Sequence, residues 1–270
     1  MTSAARTPAV AGRFYPRRAD ELLRDIHNYT TASEPAIAAI GCVVPHAGYM
    51  YSGHVAGAVY SRLEVPKRCV VLCPNHTGIG HPLAIMTQTP WLTPLGEIVA
   101  DTQLGSALLH AFPLLQEDSS AHRAEHAIEV QLPFLQTRQP DMSIVPIAIG
   151  TSDFDLLQGL GETLAKVVAA QPEKTLLIAS SDMNHYESDA VTRVKDRKAI
   201  ERVLALDPRG LWDVVTNEDI SMCGFGPAIV MLTAAKRLGA TSATLVKYAT
   251  SGDVSGDRDQ VVGYAGIIVS

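Results

Sequence analysis

The chain has 270 residues, of which 47% are hydrophobic and 19% charged, and its formal net charge is −6. This length and hydrophobic content are enough for a large buried core in one or two domains. The acidic balance argues against nucleic-acid binding, which needs clustered Lys and Arg, and the absence of long apolar runs argues against a membrane span. The N-terminus lacks the apolar stretch of a secretory signal, and the four cysteines show no disulfide-framework spacing, so we expect a cytoplasmic protein.

The first half of the chain predicts alternating helices and strands. An apolar stripe of Leu22, Leu23 and Ile26 predicts a helix over 19–29. There follow a buried strand over 39–44, a helix over 53–63, a buried strand over 69–73, irregular strands over 83–99 with a turn at 91–96, a helix over 102–111, and a helix over 125–135. Because proline lacks a backbone N–H, Pro133 is expected to kink the last of these helices or end it early.

The second half of the chain continues the alternation. It predicts a strand over 143–149, a helix over 154–169, a strand over 175–179, helices over 191–205, 208–215 and 227–238, and strands over 243–249 and 260–269. A basic cluster over 193–198 is interrupted by Asp196 and predicts a solvated helix face. The whole pattern predicts a single α/β domain over 1–270, with a central mostly parallel or mixed sheet flanked by helices.

Three of the predicted strands lead into polar residues that can bind a metal. The strand over 39–44 leads to His46, the strand over 69–73 to His76, and the strand over 175–179 to His185. In open α/β sheets, sites form at the carboxyl ends of the strands. The three histidines are therefore expected to converge on one crevice as a metal centre. The alternative for His46 and His76 is a structural role, with each ring bonded to backbone groups near the core.

Cys223 and Asp182 also stand in suggestive positions. Cys223 comes just before the predicted helix over 227–238, where the helix dipole favours a thiolate, a strong ligand for iron, copper or zinc. The alternative is a structural cysteine in a turn. Asp182 lies three residues before His185, so a helical turn would place both on one face and suit His185 as a general acid or base. The alternative is a capping Asp182 beside an exposed His185.

Other polar and sulfur-containing residues have weaker contexts. On the predicted helix over 125–135, His126 and Glu129 share a face, and so do Glu125 and Glu129. These side chains either line the pocket and support its ligands or belong to a surface helix. The cysteines in or beside predicted strands are expected to be buried small hydrophobic residues; they are Cys42, Cys69 and Cys73.

A series of motifs resembles the MEMO family, the B component of the AmmeMemoRadiSam system. The motifs are AGRFY at 11–15, PHAGYMYSG at 45–53, PNH at 74–76, EHAIEVQLP at 125–133, SSDMNHY at 180–186, MCGFGP at 222–227 and YAG at 264–266. The resemblance covers essentially the whole chain, and the order and spacing of the motifs make it specific. It implies a fold similar to that of the class III extradiol ring-cleaving (LigB-like) dioxygenases.

The resemblance also implies roles for individual residues. Those dioxygenases hold non-haem Fe(II) with two histidines and a carboxylate, and MEMO-like proteins have a cysteine in place of the carboxylate. Carried onto this chain, the metal ligands would be His46, His76 and Cys223, with His185 as acid or base and Asp182 beside it. Residues implied in or around the pocket are Phe14, where tryptophan is common in the family, and Tyr49, His126 and Glu129.

Two functions follow from the resemblance. The first is a mononuclear oxidoreductase that depends on Fe(II) or copper, with zinc as a further metal that a thiolate suits. The second is a binding module or metal-handling protein that uses the same cleft for a small-molecule or peptide ligand. The name of the system implies a radical-SAM enzyme and an AMMECR-type protein as partners. The chain has no CxxxCxxC motif, so it is not itself the radical enzyme.

Overall fold

The computed structural model describes residues 4–30 and 35–270. Within these ranges the helices are α1 Ala19–Tyr29, α2 Tyr49–Ser61, α3 Thr102–Ala111, α4 Ser120–Arg123, α5 Leu132–Arg138, α6 Phe154–Ala169, α7 Asp189–Leu204, α8 Pro208–Asn217, α9 Phe225–Arg237 and α10 Gly252–Ser255. The strands are β1 Gly41–Val44, β2 Arg68–Pro74, β3 Leu83–Ile85, β4 Trp91–Thr93, β5 Gly96–Ala100, β6 Gln116–Glu117, β7 Ser143–Ile149, β8 Thr175–Ser180, β9 His185–Glu187, β10 Ala243–Thr250 and β11 Val261–Val269.

A mixed central sheet organises the molecule, in the order β10-β11-β1-β8-β2-β7-β3-β6. Its centre is parallel, because β1 pairs with β8, β8 with β2, and β2 with β7 in that sense. The outer pairs β1–β11, β10–β11 and β3–β7 are antiparallel. The predicted single α/β domain with a mixed sheet is confirmed. The parallel centre matters for function, since β1, β8 and β2 are neighbours and end on the same edge.

Alternate residues of the central strands pack into two cores, one on each face of the sheet. Val70 and Leu72 of β2 belong to the core that contains residues of α3, α6, α7, α8 and α9. Cys69, Val71 and Cys73 belong to the core that contains residues of α1, α2 and α5. Because both faces are covered, the central strands consist of continuous apolar runs. The prediction that Cys42, Cys69 and Cys73 are buried is confirmed, and all are free thiols.

The helix α2 begins four residues earlier than predicted. Its first residue is Tyr49, only three positions after His46, whereas the sequence predicted a start at residue 53. The residue at its N-cap, Gly48, offers no capping side chain. Instead the Tyr49 backbone N–H donates to the carbonyl of Phe14 at 2.7 Å. A distant segment therefore caps this helix, which a local pattern cannot reveal.

The predicted helix over 125–135 is wrong in its start and in the role of Pro133. Residues 129–131 form a 3-10 turn, and α5 begins only at Leu132. Pro133 lies in the first turn of α5, where the missing N–H costs nothing, so it helps to begin the helix rather than end it. The region over 91–96 is also more ordered than predicted, since β4 and β5 pair antiparallel and only residues 94 and 95 form the turn.

The basic cluster over 193–198 lies on α7 and is largely paired. Arg193 bonds to Asp189 and Asp253, Lys195 to Glu187, and Lys198 to Glu218. Asp196, which interrupts the cluster, is fully buried and faces inward. Among the described helices none has the length and apolar character needed to cross a bilayer.

Candidate metal centre

The carboxyl ends of β1 and β2 bring two histidines to one point, and the loop before α9 adds a cysteine. His46 follows β1 by two residues, and His76 follows β2 by two residues. Cys223 immediately precedes Gly224, which is the N-cap of α9. One ligand atom from each of His46, His76 and Cys223 lies within 4.8 Å of the others. The structure therefore assembles two imidazoles and one thiol into a group with the dimensions of a metal site.

His46 is the most buried member of the group. Its side chain is 2% exposed, its Nδ1 lies 3.0 Å from Ser180 Oγ, and its Nε2 lies 3.2 Å from Cys223 Sγ. Burial, followed by the neighbouring imidazoles, holds the pKa of His46 well below its usual value. The ring is therefore neutral at pH 7, which is the form that binds a metal.

His76 is held by a buried carboxylate. Glu125 is fully buried, and it accepts the His76 backbone N–H at 2.7 Å and lies 2.9 Å from His76 Nδ1. Burial alone would lower the pKa of His76, but the hydrogen bond and charge of Glu125 outweigh it and raise the pKa. The same pairing keeps the pKa of Glu125 below its usual value despite burial. A carboxylate that accepts from Nδ1–H leaves Nε2 of His76 with its lone pair free.

Glu125 supports the ligands rather than competing with them. Besides its two bonds to His76, it accepts the backbone N–H groups of His126 at 2.8 Å and Ala127 at 2.9 Å. His76, Glu125 and His126 also form a second group with the spacing of a metal site. With four donors already pointing at its oxygens, however, Glu125 is suited to orienting His76 and fixing the loop around residue 126.

Cys223 approaches β8 closely because the next residue is glycine. A Cβ on Gly224 would overlap the carbonyl oxygen of Ser180 and the side chain of Ser181. The expected effect of the helix dipole on Cys223 does not dominate. Burial first, and then the Asp182 carboxylate, raise the pKa of the thiol above its usual value. A bound cation would reverse this balance, since a coordinated thiol loses its proton.

Asp182 does not pair with His185, so the predicted helical face over 182–185 is wrong. Residues 181–184 are irregular and His185 begins β9. The Asp182 Oδ1 instead accepts the backbone N–H of His46 at 2.7 Å and of Ala47 at 3.3 Å. Its Oδ2 lies 4.0 Å from His46 Nε2. Burial raises the pKa of Asp182 to about 7.

His185 is held near the group by the loop that carries Cys223. Its Nδ1 lies 2.9 Å from the carbonyl oxygen of Ser221, and its backbone N–H donates to Ser221 Oγ at 2.8 Å. Burial lowers the pKa of His185. The next residue, Tyr186, has a φ of 59° and is 72% exposed. The ring of His185 is thus neutral and fixed beside an aromatic side chain that faces solvent.

His126 and Phe14 form one wall of the site. The His126 ring stacks on His76 with 4.8 Å between centroids, and meets the His46 ring edge-on at 5.4 Å. Phe14 packs edge-on against His126 at 4.7 Å. Burial lowers the pKa of His126. The structure thus places both residues, which the sequence assigned to the pocket, against the two histidines of the candidate metal group.

Glu129 and Tyr49, which the resemblance places in or around the pocket, bond to groups other than the candidate metal ligands. Glu129 is buried and accepts hydrogen bonds from Arg6, from the backbone of residues 9 and 10, and from Tyr15. The Tyr49 hydroxyl donates to the carbonyl of Val130 at 2.7 Å, and its ring is buried. Glu129 therefore anchors the N-terminal segment that carries Phe14, and Tyr49 belongs to the core.

The donor set fits a divalent or soft metal ion. Two imidazoles and one thiol converge, and burial keeps His46 in the neutral form that coordinates. The carboxylate of Glu125 orients His76 in the manner common around metal-binding histidines. These residues can hold one metal ion, and nothing in their arrangement selects iron, copper or zinc.

Comparison with known proteins gives the family. The sequence model of the family described as Memo-like protein matches residues 6–268. The chain belongs to the Memo family. A MEMO1 family protein of Methanosarcina mazei is 44% identical over 266 residues, covering 98% of both chains. A MEMO1 family protein of Pyrobaculum aerophilum is 43% identical over 275 residues, covering 97% of this Memo-family chain and 98% of its own.

A solved structure shares the fold of this Memo-family chain. The crystal structure of an uncharacterized protein from Escherichia coli K12 aligns with a TM-score of 0.58 and 14% identity. The alignment covers 84% of this chain and 98% of the other. At this level of identity the likeness concerns the fold alone.

Of two residues that bond to the histidines of the Memo-family site, the sequence leaves one open and gives no role to the other. Glu125 falls in a polar cluster that either supports the ligands or lies on a surface helix, and Ser180 falls only in a motif. Both act on histidines far away in sequence, with separations of 49 residues for Glu125 and His76 and 134 for Ser180 and His46. The position of Ser180 at the end of a strand is the one signal that could have revealed its role. It ends β8 next to β1 in the sheet, opposite Val44 and therefore close to His46.

Proposed function

We propose that this Memo-family chain is a mononuclear metal-dependent oxidoreductase that uses Fe(II) or copper. The observation that carries the proposal is the convergence of His46, His76 and Cys223 within 4.8 Å. Their distant origins in the sequence, at two strand ends and one helix start, make a chance surface cluster a poor explanation. A bound Fe(II) or copper ion would supply one-electron redox chemistry and Lewis acidity.

His185 is the residue we assign to proton transfer. Its Nδ1–H donates to a carbonyl oxygen, which can only accept, so Nε2 carries the lone pair. Its lowered pKa keeps that lone pair available at neutral pH. Asp182, with a pKa near 7, is a second group that can hold or release a proton beside His46. This division of roles replaces the Asp182–His185 pair expected from sequence.

The ligand of the candidate metal centre is proposed to be a small molecule or a peptide with an apolar part. Each of the three strand-end histidines is followed within four residues by a large exposed hydrophobic side chain. These are Met50, Ile79 and Tyr186, with exposures of 64%, 55% and 72%. Exposed apolar groups close in sequence to site residues are typical of binding surfaces.

Metal content tests the proposal. Protein purified without oxygen and reloaded with Fe(II) or Cu(I) should hold one equivalent of metal, measured by elemental analysis after gel filtration. His46→Ala and Cys223→Ala should each lose nearly all of it, because each removes one of three ligands. His110→Ala is the matched control, since His110 is exposed and outside the group. Failure of the wild type to retain metal under reducing conditions would refute the proposal.

The alternative function is metal handling without turnover, and the thiol among the ligands supports it. A thiolate with imidazoles suits tight binding of soft ions such as Cu(I). Oxygen consumption by the loaded protein, with ascorbate as reductant, separates the two functions. If the protein is an oxidoreductase, the loaded protein should consume oxygen faster than the same amount of free metal. His185→Ala should lower this rate without lowering the metal content. A loaded protein that consumes no oxygen, with or without His185, favours metal handling.

A radical-SAM enzyme and an AMMECR-type protein complete the proposal as partners. Their involvement rests on the family resemblance alone. Affinity purification of the tagged chain from its own cells, followed by mass spectrometry, tests it. Recovery of neither partner class would remove them from the proposal and leave the metal site unaffected.

A further inference from the structure

Ser180 lies at the centre of a buried hydrogen-bond cluster behind His46. Its Oγ lies 2.6 Å from the carbonyl oxygen of Ala127, 2.8 Å from Gln131 Nε2 and 3.0 Å from His46 Nδ1. Ser180 and Gln131 are fully buried, and His46 is nearly so. A serine hydroxyl has one proton and two lone pairs, so three neighbouring groups use its whole hydrogen-bonding capacity.

The directions of these hydrogen bonds follow from the partners. The carbonyl of Ala127 can only accept, so it takes the single hydroxyl proton of Ser180. The orientation of the Gln131 amide is fixed as well, because Nε2 also faces the carbonyl of Pro45 at 3.0 Å while Oε1 accepts from the Tyr60 hydroxyl at 2.8 Å. Gln131 therefore donates to Ser180 Oγ and occupies one of its lone pairs.

Only one arrangement remains for His46. Ser180 Oγ has no proton left to give, so His46 Nδ1 must carry the hydrogen and donate it. A neutral imidazole has one N–H, so its Nε2 is then the bare nitrogen. That nitrogen is the atom 3.2 Å from Cys223 Sγ. The cluster thus dictates which nitrogen of His46 is presented to the candidate metal group.

We infer that Ser180 and Gln131 are positioning residues that lock His46 in the Nδ1–H tautomer and so present Nε2 as a ligand. The tautomer belongs to the metal-free chain, whereas its consequence for metal affinity rests on the proposed function. The opposite tautomer would leave Nδ1 facing Ser180 Oγ with no hydrogen between them. Such an unmade bond at a fully buried site leaves two acceptors facing each other, so the Nδ1–H tautomer is the favoured one.

Nuclear magnetic resonance of the metal-free protein tests the tautomer directly. Two-bond ¹H–¹⁵N correlations of the imidazoles, with His46 assigned from its absence in His46→Asn, should show the Nδ1–H form in wild type. Ser180→Ala removes the acceptor and should shift His46 toward the Nε2–H form. Ser52→Ala is the matched control, because Ser52 is buried and its hydroxyl bonds a backbone carbonyl, that of Ala47, at 2.9 Å.

A titration with Co(II) tests the consequence. Ser180→Ala should bind Co(II) about 10- to 100-fold more weakly than wild type, the usual effect of losing a partner of a ligating histidine, while Ser52→Ala should bind as wild type does. A wild type that binds neither Co(II) nor Fe(II) nor Cu(I) would defeat the proposed function, and the resonance spectra would still decide the tautomer.

The inference itself is overturned by either of two spectra. One is a spectrum of the wild-type protein that shows His46 in the Nε2–H form, and this test requires no variant. The other is a Ser180→Ala protein whose His46 stays entirely in the Nδ1–H form. If Ser180→Ala does not fold, Ser180→Cys takes its place, since a thiol has similar size but is a much weaker acceptor.

Discussion

At the scale of single residues, the candidate ligands are supported by buried neighbours. Nine histidines occur in the chain, and both of those in the candidate metal group have an Nδ1 atom within hydrogen-bond distance of a buried polar side chain. His46 meets Ser180, and His76 meets Glu125. In the neutral form of either ring, the second nitrogen carries the lone pair. Support on the far side of the ring, more than the imidazole itself, therefore makes these histidines suitable ligands.

Glu125→Gln should weaken metal binding and destabilise the fold. A glutamine offers one accepting oxygen where the carboxylate offers two, so at least one of the four donors now paired with Glu125 loses its partner. We expect about 10- to 100-fold lower affinity for Co(II) and about 1–3 kcal/mol lower free energy of unfolding. Titration and urea denaturation measure the two effects.

Glu117→Gln provides the control for that change. Glu117 also accepts a backbone N–H and a hydroxyl, both from Thr87, but it is exposed and outside the candidate metal group. Its substitution should leave Co(II) affinity unchanged. Equal affinities for wild type and Glu125→Gln would show that Glu125 has no part in ligand support.

Only the parts of the site that lie at strand ends or in motifs could be predicted from sequence. His46 and His76 each follow a continuous apolar run, so their convergence follows from sheet geometry. Cys223 follows no strand; its position before a predicted helix left a structural role open, and the family resemblance assigned it as a ligand. The directions of Asp182 and Glu129 could not be predicted, because a carboxylate in an irregular loop or a 3-10 turn has no periodic face. Each bonds to a segment more than 100 residues away.

At the scale of elements, the loop before α9 sets the position of Cys223. This loop contacts β8 at Gly224, whose N–H donates to Ser181 Oγ at 3.0 Å. The same loop holds His185 through Ser221. One short segment thus places both the Cys223 thiol and the His185 imidazole, and its closeness to β8 depends on the missing side chain of Gly224.

Gly224→Ala should displace this loop. The added Cβ would overlap the Ser180 carbonyl, which is backbone and cannot rotate away, so the loop must move. We expect a loss of about 1–3 kcal/mol in the free energy of unfolding together with reduced metal retention. Gly159→Ala, in the middle of α6, is the control, because its Cβ would meet Phe112 only at ordinary contact distance of 3.4 Å. That variant should be neutral or up to about 1 kcal/mol more stable.

The elements themselves were predictable where burial is continuous. Strands β2, β7 and β8 and helices α3 and α6 match their predicted ranges closely, since long apolar runs or a clear helical period mark them. The region from Glu125 to Arg138 was not, because its early residues bond to distant backbone and side-chain groups instead of forming a helix. Its apolar residues recur at a helical spacing because they are buried, although the backbone there forms turns.

At the scale of the whole molecule, a buried carboxyl on α7 links stability to pH. Asp196 is fully buried and accepts hydrogen bonds from the Tyr248 hydroxyl at 2.7 Å and the Asn184 backbone at 2.8 Å. It lies against Gly263, where any Cβ would overlap the carboxylate. Burial raises the pKa of Asp196 to about 7, since these donors only partly replace the lost water.

The sign of the effect follows from the two pKa values. The folded state holds the proton of Asp196 up to about pH 7, whereas an unfolded aspartate releases it near its ordinary pKa of 3.8. The folded state therefore binds more protons between about pH 4 and 7, and the contribution of Asp196 to stability falls as pH rises through this window. Asp182, also with a pKa raised to about 7, acts in the same direction. The buried histidines with lowered pKa values act in the opposite direction, so the net slope of the wild type does not isolate Asp196.

The contribution of Asp196 can be isolated by comparing Asp196→Asn with wild type. Asparagine keeps an accepting oxygen for the Asn184 N–H but has no charge to bury. Its free energy of unfolding relative to wild type should rise steadily from pH 4 to 7, by up to a few kcal/mol, since one pKa unit is worth about 1.4 kcal/mol. Urea denaturation at four pH values across the window measures the difference. Asp189→Asn, at the start of the same helix, is the control, because ion pairing lowers the pKa of Asp189 to about 2 and its titration lies below the window. A constant difference between wild type and Asp196→Asn would show that Asp196 is already ionised in the folded protein at pH 4.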